Sequence, residues 1–387
     1  MKRWMLQAVM LFAVFLAPGA WAQHRVTVSG HITDSASGET LIGAGLVEGA
    51  SRQGAVTNNF GYYTLTLPAG EYDFQYSYVG YQDQVLHLDL RRDTVVNVAL
   101  KAGQMLSGAT VVAQKEAGIQ STYLGAVDIP LAQIQNTPVL FGEADVLKVL
   151  QMMPGVQGGN EGMTGLYVRG GGPDENLILL DGVPIYNVDH MLGLFSVFQP
   201  EAVKKVTLYK GSFPARYGGR VSSIVDIRTN DGNMKETHGS LGIGLISDKA
   251  QLDGPIIKDK LAYSLSARGM HTVFYGPIIR HFLDGAYGNY YFYDLNGKLT
   301  WRLSDKDRFY LGAYHGRDRF VFNEEDEGEY NWDPTDKDTK RSWSSRTDVG
   351  VCWGNTVASL RWNHVISSRL FANTTQLHCD ALRQQHY

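Results

Sequence analysis

Between Tyr291 and Leu303 the chain alternates without a break. Tyr291, Tyr293, Leu295, Gly297, Leu299, Trp301 and Leu303 fall on one face of an extended segment; Phe292, Asp294, Asn296, Lys298, Thr300 and Arg302 fall on the other. A period of two marks a strand with a different environment on each side. One side is apolar and aromatic, while the other carries a carboxylate and two bases. An apolar outer face and a polar inner face over this length are what a barrel strand needs to cross a bilayer. The pattern recurs at Leu261, Tyr263, Leu265 and Ala267, at Phe309, Leu311 and Ala313, and at Thr356, Ala358, Leu360 and Trp362. Short turns at 304–307 and 366–369 alternate with long polar segments at 271–289 and 323–341. That asymmetry fits short periplasmic turns and long extracellular loops. The 43 Gly, 21 Tyr, 15 Phe and 7 Trp agree with a turn-rich, mainly β chain.

The N-terminus reads as an export signal. Lys2 and Arg3 precede a short apolar run, Met5 to Ala17, and Ala20-Trp21-Ala22 forms a small-x-small cleavage site before Gln23. The run falls short of the ~20 residues that span a bilayer as a helix. No cysteine stands at the cleavage point, so no lipid anchor is expected there. Cys352 and Cys379 are too few and too late for a disulfide framework or a metal pattern. Bases are dispersed and the net charge is −4, which excludes a nucleic-acid footprint. His and Ser residues show no triad-like grouping, so no catalytic residue, metal site or cofactor is expected.

Residues 23–100 read as a small β-sandwich. Val26, Val28, Gly30 and Ile32 share one face of a first strand; Tyr63, Leu65 and Leu67 alternate with threonines; Tyr72, Phe74, Tyr76 and Tyr78 line another face; and Val96, Val98 and Leu100 close the unit. Gly30-His31-Ile32-Thr33-Asp34, Gly61-Tyr62-Tyr63, Leu67-Pro68-Ala69-Gly70-Glu71-Tyr72 and Val79-Gly80-Tyr81 give this stretch a resemblance to the carboxypeptidase regulatory-like domain. It carries no zinc-ligand pair, so peptidase activity is not expected. Residues 101–126 form a linker whose β-prone centre is Ala109-Thr110-Val111-Val112-Ala113.

Residues 127–230 read as a compact α+β unit. A helix is expected over Glu143 to Met153, stopped by Pro154-Gly155, with strands at Leu166–Arg169, Asn176–Leu180, Val203–Tyr209 and Ser223–Ile227. This unit resembles the plug domain of TonB-dependent receptors. The resemblance rests on Met153-Pro154-Gly155-Val156, Leu166-Tyr167-Val168-Arg169-Gly170-Gly171, Leu179-Leu180-Asp181-Gly182-Val183-Pro184, Tyr209-Lys210-Gly211, Ala215-Arg216-Tyr217-Gly218-Gly219-Arg220 and Val225-Asp226-Ile227-Arg228-Thr229. Arg169, Arg216 and Arg220 are candidates to pair with carboxylates on a barrel wall. Gly170 to Gly172 lack the following Lys-Ser/Thr and helix of a phosphate loop.

The resemblance implies a ligand-gated importer of the outer membrane, with no covalent chemistry. Its expected contacts are outer-membrane lipid, a scarce nutrient (ferric siderophore, vitamin, peptide or glycan) and a TonB-type energy-coupling protein. Residues 109–113 resemble the TonB box, which adds as a strand to that protein. A surface lipoprotein partner, as in starch-type glycan importers, stays open. Against it, Val221-Ser222-Ser223-Ile224-Val225-Asp226-Ile227-Arg228-Thr229 departs from the plug ending of those importers. The pairing of sandwich and plug looks like receptors of the Bacteroidota. A rival reading is an exported sandwich that binds or adheres without transport; a signalling transducer would carry a different N-terminal domain.

Two expectations concern the last part of the chain, 231–387. About six barrel strands are expected, too few to close a barrel, so the chain reads as a fragment. Alternation fades after Thr375, and the residues from Gln376 to Tyr387 do not read as a strand. The acidic stretch Glu324 to Asp338 reads as a solvated loop without EF-hand spacing.

Overall fold

The computed structural model describes residues 24–103, 125–129, 134, 144–159, 164–270, 286–331 and 340–386. The expected signal peptide and the 109–113 segment lie outside these residues. The chain divides into two compact units.

The first unit is a two-sheet sandwich. In one sheet β1 (Arg25–Asp34) pairs with β4 (Tyr62–Pro68), β7 (Thr94–Val95) and β8 (Val98–Leu100). In the other, β2 (Gly45–Glu48) lies between β3 (Gly54–Val56) and β5 (Gly70–Ser77), and β6 (Gln84–Leu90) follows β5. The core joins Val26, Val28 and Ile32 to Leu46, Tyr63, Leu67, Phe74, Tyr76, Val98 and Leu100. The expected inward faces therefore meet across the sandwich. Tyr63 and Tyr76 are fully buried with their hydroxyls 3.1 Å apart, and Tyr63 also donates to the Val96 carbonyl at 2.8 Å. Two rings can be buried there because each polar tip has a partner.

The second unit combines the plug with a wall of strands. The plug sheet has the order β13 (Val183–Pro184), β12 (Asn176–Leu180), β17 (Ser223–Thr229), β16 (Val203–Tyr209), β9 (Ala126–Ile129). Small pairs flank it: β10 (Val156–Gly158) with β11 (Leu166–Val168), and β14 (Asp189–His190) with β15 (Phe195–Ser196). The helix α1 is shorter than expected, Val146–Gln151. Asp145 sets its start, accepting from Leu147 N at 2.8 Å and Lys148 N at 3.1 Å. Its apolar face, Val146, Leu147, Val149 and Leu150, packs with Val206, Leu208, Val225 and Ile227 of the sheet. Tyr314 and Val357 of the wall belong to the same core. The plug thus shares its apolar packing with the wall.

The wall is one antiparallel sheet of seven consecutive strands among the described residues. They are β18 (His238–Ile243), β19 (Ser247–Ile257), β20 (Leu261–Met270), β21 (Ala286–Arg302), β22 (Asp307–Asn331), β23 (Lys340–Ser367) and β24 (Leu370–His386). Two expectations are corrected here. The strand number is seven, and the residues after Thr375 continue β24 to His386 rather than leaving the sheet. Pairing with β23 through backbone groups holds this segment extended without side-chain alternation. The acidic stretch is also corrected. Glu324 to Asn331 continue β22, in register with Lys340 to Thr347 of β23; 332–338 lie outside the described residues.

The two faces of the wall differ as the alternation predicts. Leu295, Leu299, Trp301 and Leu303 are exposed, whereas Phe292, Asp294, Lys298 and Thr300 are buried. Cross-strand register aligns Tyr263, Leu299, Leu311 and Leu360 in one outer row and Trp301, Phe309 and Trp362 in the next. Phe309 and Trp362 stack with ring centres 5.9 Å apart. At the other end, Tyr291 and Tyr293 face outward beside Arg319 and Arg317. From Tyr291 to Trp301 the strand runs ~34 Å at ~3.4 Å per residue, or ~25 Å of height at barrel tilt, matching the apolar band of outer-membrane barrels. Beyond the Tyr291 row, β22 and β23 continue together as a long ribbon. In the full-length receptor, Leu295→Arg places a charge near the middle of the band and is expected to cost about 2–4 kcal/mol. Loss of the folded band in a heat-modifiability gel at lower temperature than wild type checks it; an unchanged transition means the face does not meet lipid.

Candidate functional site: the polar seam between plug and wall

Charged side chains on the inner face of the wall meet the plug in two clusters. The first centres on His190 of β14, which is fully buried. Its Nε2 lies 2.8 Å from Asp294 Oδ2 on β21, and its Nδ1 lies 2.9 Å from Asp318 Oδ2 on β22. Phe292 stacks on the ring with centres 4.2 Å apart. Arg268 of β20 donates to Asp294 Oδ2 through Nε at 2.9 Å and Nη2 at 2.7 Å, and Nη2 also donates to the Ser196 carbonyl at 2.7 Å. Tyr314 donates to Asp294 Oδ1 at 2.7 Å, and Tyr290 donates to Asp318. The Tyr290 hydroxyl accepts from Met191 N at 2.6 Å. Gly316 makes room for this arrangement: a Cβ there would collide with the Tyr314 hydroxyl and sit 2.7 Å from Asp294 Oδ1. Two carboxylates face two cations, so the buried cluster is neutral when His190 is protonated.

The second cluster lies around the Asp181-Gly182 turn. Asp181 and Gly182 both take positive φ, 50° and 87°, which the glycine supports at no steric cost. The Asp181 carboxylate accepts from Thr229 N at 3.2 Å and from Thr229 Oγ1 at 2.5 Å. Lys298 of β21 bridges the plug, 3.3 Å from Asp181 Oδ1, 2.9 Å from Asp231 Oδ1 and 3.1 Å from the Thr229 carbonyl. Lys204 reaches Asp231 Oδ2 at 2.6 Å, and Arg361 of β23 donates to the Asp181 carbonyl. Burial alone would push the Asp181 carboxyl up. Lys298, Arg361 and Arg228 outweigh it and hold the group below the usual carboxylate range. A cavity of ≈ 20 Å³, about one water's space, opens in this seam between Asp181, Thr229 and Lys298 and the small wall residues Ser264, Ser266 and Gly312.

The sequence motifs are placed as follows. Asp181 sits in the seam, and Gly182 turns the chain beside Arg361. Pro184 lies on β13, its carbonyl accepting from Cys379 Sγ at 3.1 Å. Arg169, Gly170, Gly171, Arg216, Gly218, Gly219 and Arg220 lie away from it. Arg169 and Arg220 are exposed and form no ion pair with a described wall carboxylate. Arg216 lies over the Tyr217 ring at 4.7 Å, and Tyr217 donates to Asp226 at 3.0 Å. The two clusters instead join His190, Asp181 and Asp231 to Arg268, Asp294, Lys298, Asp318 and Arg361 of the wall, with Lys204 supporting Asp231. His190 escaped the sequence reading. The available signal was Asp294 on the inner face of its strand, because a buried carboxylate requires a donor.

A polar seam thus seats the plug sheet on the inner face of a wall whose outer face is apolar. Residues 28–116 match the CarboxypepD_reg-like domain, and residues 125–223 match the TonB-dependent Receptor Plug Domain. The Ferrienterobactin receptor of Escherichia coli (strain K12) is 31% identical over 148 residues, 34% of this chain and 19% of that protein. TonB-dependent receptor SusC of Bacteroides thetaiotaomicron is 26% identical over 241 residues, 57% of this chain and 22% of that protein. Among solved structures, the siderophore receptor PirA from Acinetobacter baumannii aligns with a TM-score of 0.39 at 20% identity, covering 65% of this chain and 46% of that one. The chain spans less than a third of the length of the curated relatives it matches.

Proposed function

We propose that this chain is the N-terminal part of an outer-membrane receptor that imports a scarce nutrient, a ferric siderophore, vitamin, peptide or glycan, into the periplasm. The observation that carries this reading is the plug sheet packed on the inner face of a wall whose outer face is a continuous apolar band. A plug held in part by ion pairs can be seated firmly and still be displaced. Energy for displacement would come from a TonB-type partner. The segment 109–113 would add to that partner as a strand, and further strands would complete the barrel around the plug. The relatives bear names of siderophore, vitamin and other TonB-dependent receptors, which supports the transport class and leaves the nutrient open.

Growth of a deletion strain on each nutrient class as the limiting source tests the import reading; growth equal to wild type on all of them overturns it. The coupling segment has its own test. Proline at 111, Val111→Pro, removes a backbone donor and is expected to lower uptake by about tenfold or more while ligand binding survives. Unchanged uptake places the coupling contact elsewhere.

A further inference from the structure

The His190 cluster has a property that follows from its hydrogen bonds alone. Both ring nitrogens face carboxylates. A neutral imidazole owns one N–H and must leave its other nitrogen as an acceptor. That lone pair would point at an oxygen that has no proton to give. No water can take its place, because the ring is fully buried and Phe292 covers one face. We infer that His190 is a protonation-dependent clasp between the plug and two wall strands, closed when the imidazole carries two protons and weakened when it carries one.

The two carboxylates support the protonated form, and Arg268 opposes it. Asp294 and Tyr290 face His190 from β21, Asp318 and Tyr314 from β22, Arg268 from β20, and Asp189 precedes it in the chain. With His190 charged, Asp294 and Asp318 balance His190 and Arg268. With it neutral, one buried negative charge is left over, which a low-dielectric site tolerates poorly. Burial by itself would lower the imidazole's affinity for protons; Asp294, then Asp318, reverse this and raise it above the ordinary value. A folded-state pKa above the unfolded value of about 6.5 fixes the sign. The clasp contributes fully below about pH 6.5 and is lost as pH climbs through the raised value. The plug is therefore held most firmly below about pH 6.5 and loosens as pH rises through the raised value.

The expectation is tested by hydrogen exchange of amides 189–197 in the full-length receptor held in outer-membrane vesicles, from about pH 6 to about pH 10. Rates are corrected for intrinsic base catalysis. Wild-type protection should fall severalfold across the range. In Asp318→Asn the amide can donate to a neutral ring or accept from a charged one, so protection should persist and lose its pH dependence. His190→Gln should be weakly protected at every pH. Amides of β16 report plug folding in each variant, so Asp318→Asn decides the matter if His190→Gln does not fold. Flat wild-type protection, or the wild-type slope in Asp318→Asn, overturns the clasp. The measurement needs neither nutrient nor coupling partner, so a failed clasp and a failed import reading are told apart.

Discussion

Replacing Asp294 by alanine is expected to destabilise the seated plug by about 3–5 kcal/mol, the range for removing one member of a buried ion-pair network. Asp294 is fully buried and serves three partners: His190, Arg268 and Tyr314. Its loss leaves Arg268 and a protonated His190 in a closed space with only Asp318 as counter-charge. It also leaves the Tyr314 hydroxyl without its acceptor. Asp294→Asn keeps the shape and part of the bonding, so it should cost less than alanine. Limited proteolysis of the plug at rising urea concentration reads the difference. If alanine and wild type release the plug at the same urea concentration, the cluster adds nothing to seating.

The second large effect concerns the edges of the wall. β18 and β24 each pair on one side only in the seven-strand sheet. Single-chain bacterial barrels need at least ~8 strands, and each unpaired backbone group in hydrocarbon costs several kcal/mol. Residues 1–387, expressed with the expected export signal, should therefore fail to insert stably. The expected product is a protease-resistant fragment covering 24–103, because that sandwich has its own closed core. Stable, heat-modifiable insertion of this 387-residue chain would refute the argument.

Much of the architecture was legible because its signals are local. The alternation of 291–303 anticipated the buried face at Phe292, Asp294, Lys298 and Thr300 and the exposed face at Leu295, Leu299, Trp301 and Leu303, since a strand in a two-sided environment has no freedom of phase. The sandwich core was legible for the same reason at Val26, Val28, Phe74 and Tyr76. The end of β24 was not, because backbone pairing with β23 holds it and leaves no mark in the side chains. The length of α1 was overread: apolar spacing extends to Met153, but Asp145 caps the helix late and Gly155 takes positive φ soon after its end. The seam was half legible. Asp181 was singled out as part of a turn motif, and Lys298 and Asp294 were assigned to the inner face. What brings them together is a contact between residues more than a hundred positions apart, and no local pattern encodes that. The exposed arginines Arg169 and Arg220 drew attention by their glycine-rich setting, while the wall contacts fell to less conspicuous residues.

The seven wall strands follow one another in space in their order along the chain. Each new strand pairs with the strand just before it, so every closure is local in sequence. Such a sheet can lengthen strand by strand, with the newest edge acting as the template for the next. The plug sheet is built the other way: β12 pairs in parallel with β17, more than forty residues downstream. The wall is thus suited to rapid stepwise growth and the plug to slower closure. An insertion machinery acting on the wall would meet one growing edge at a time.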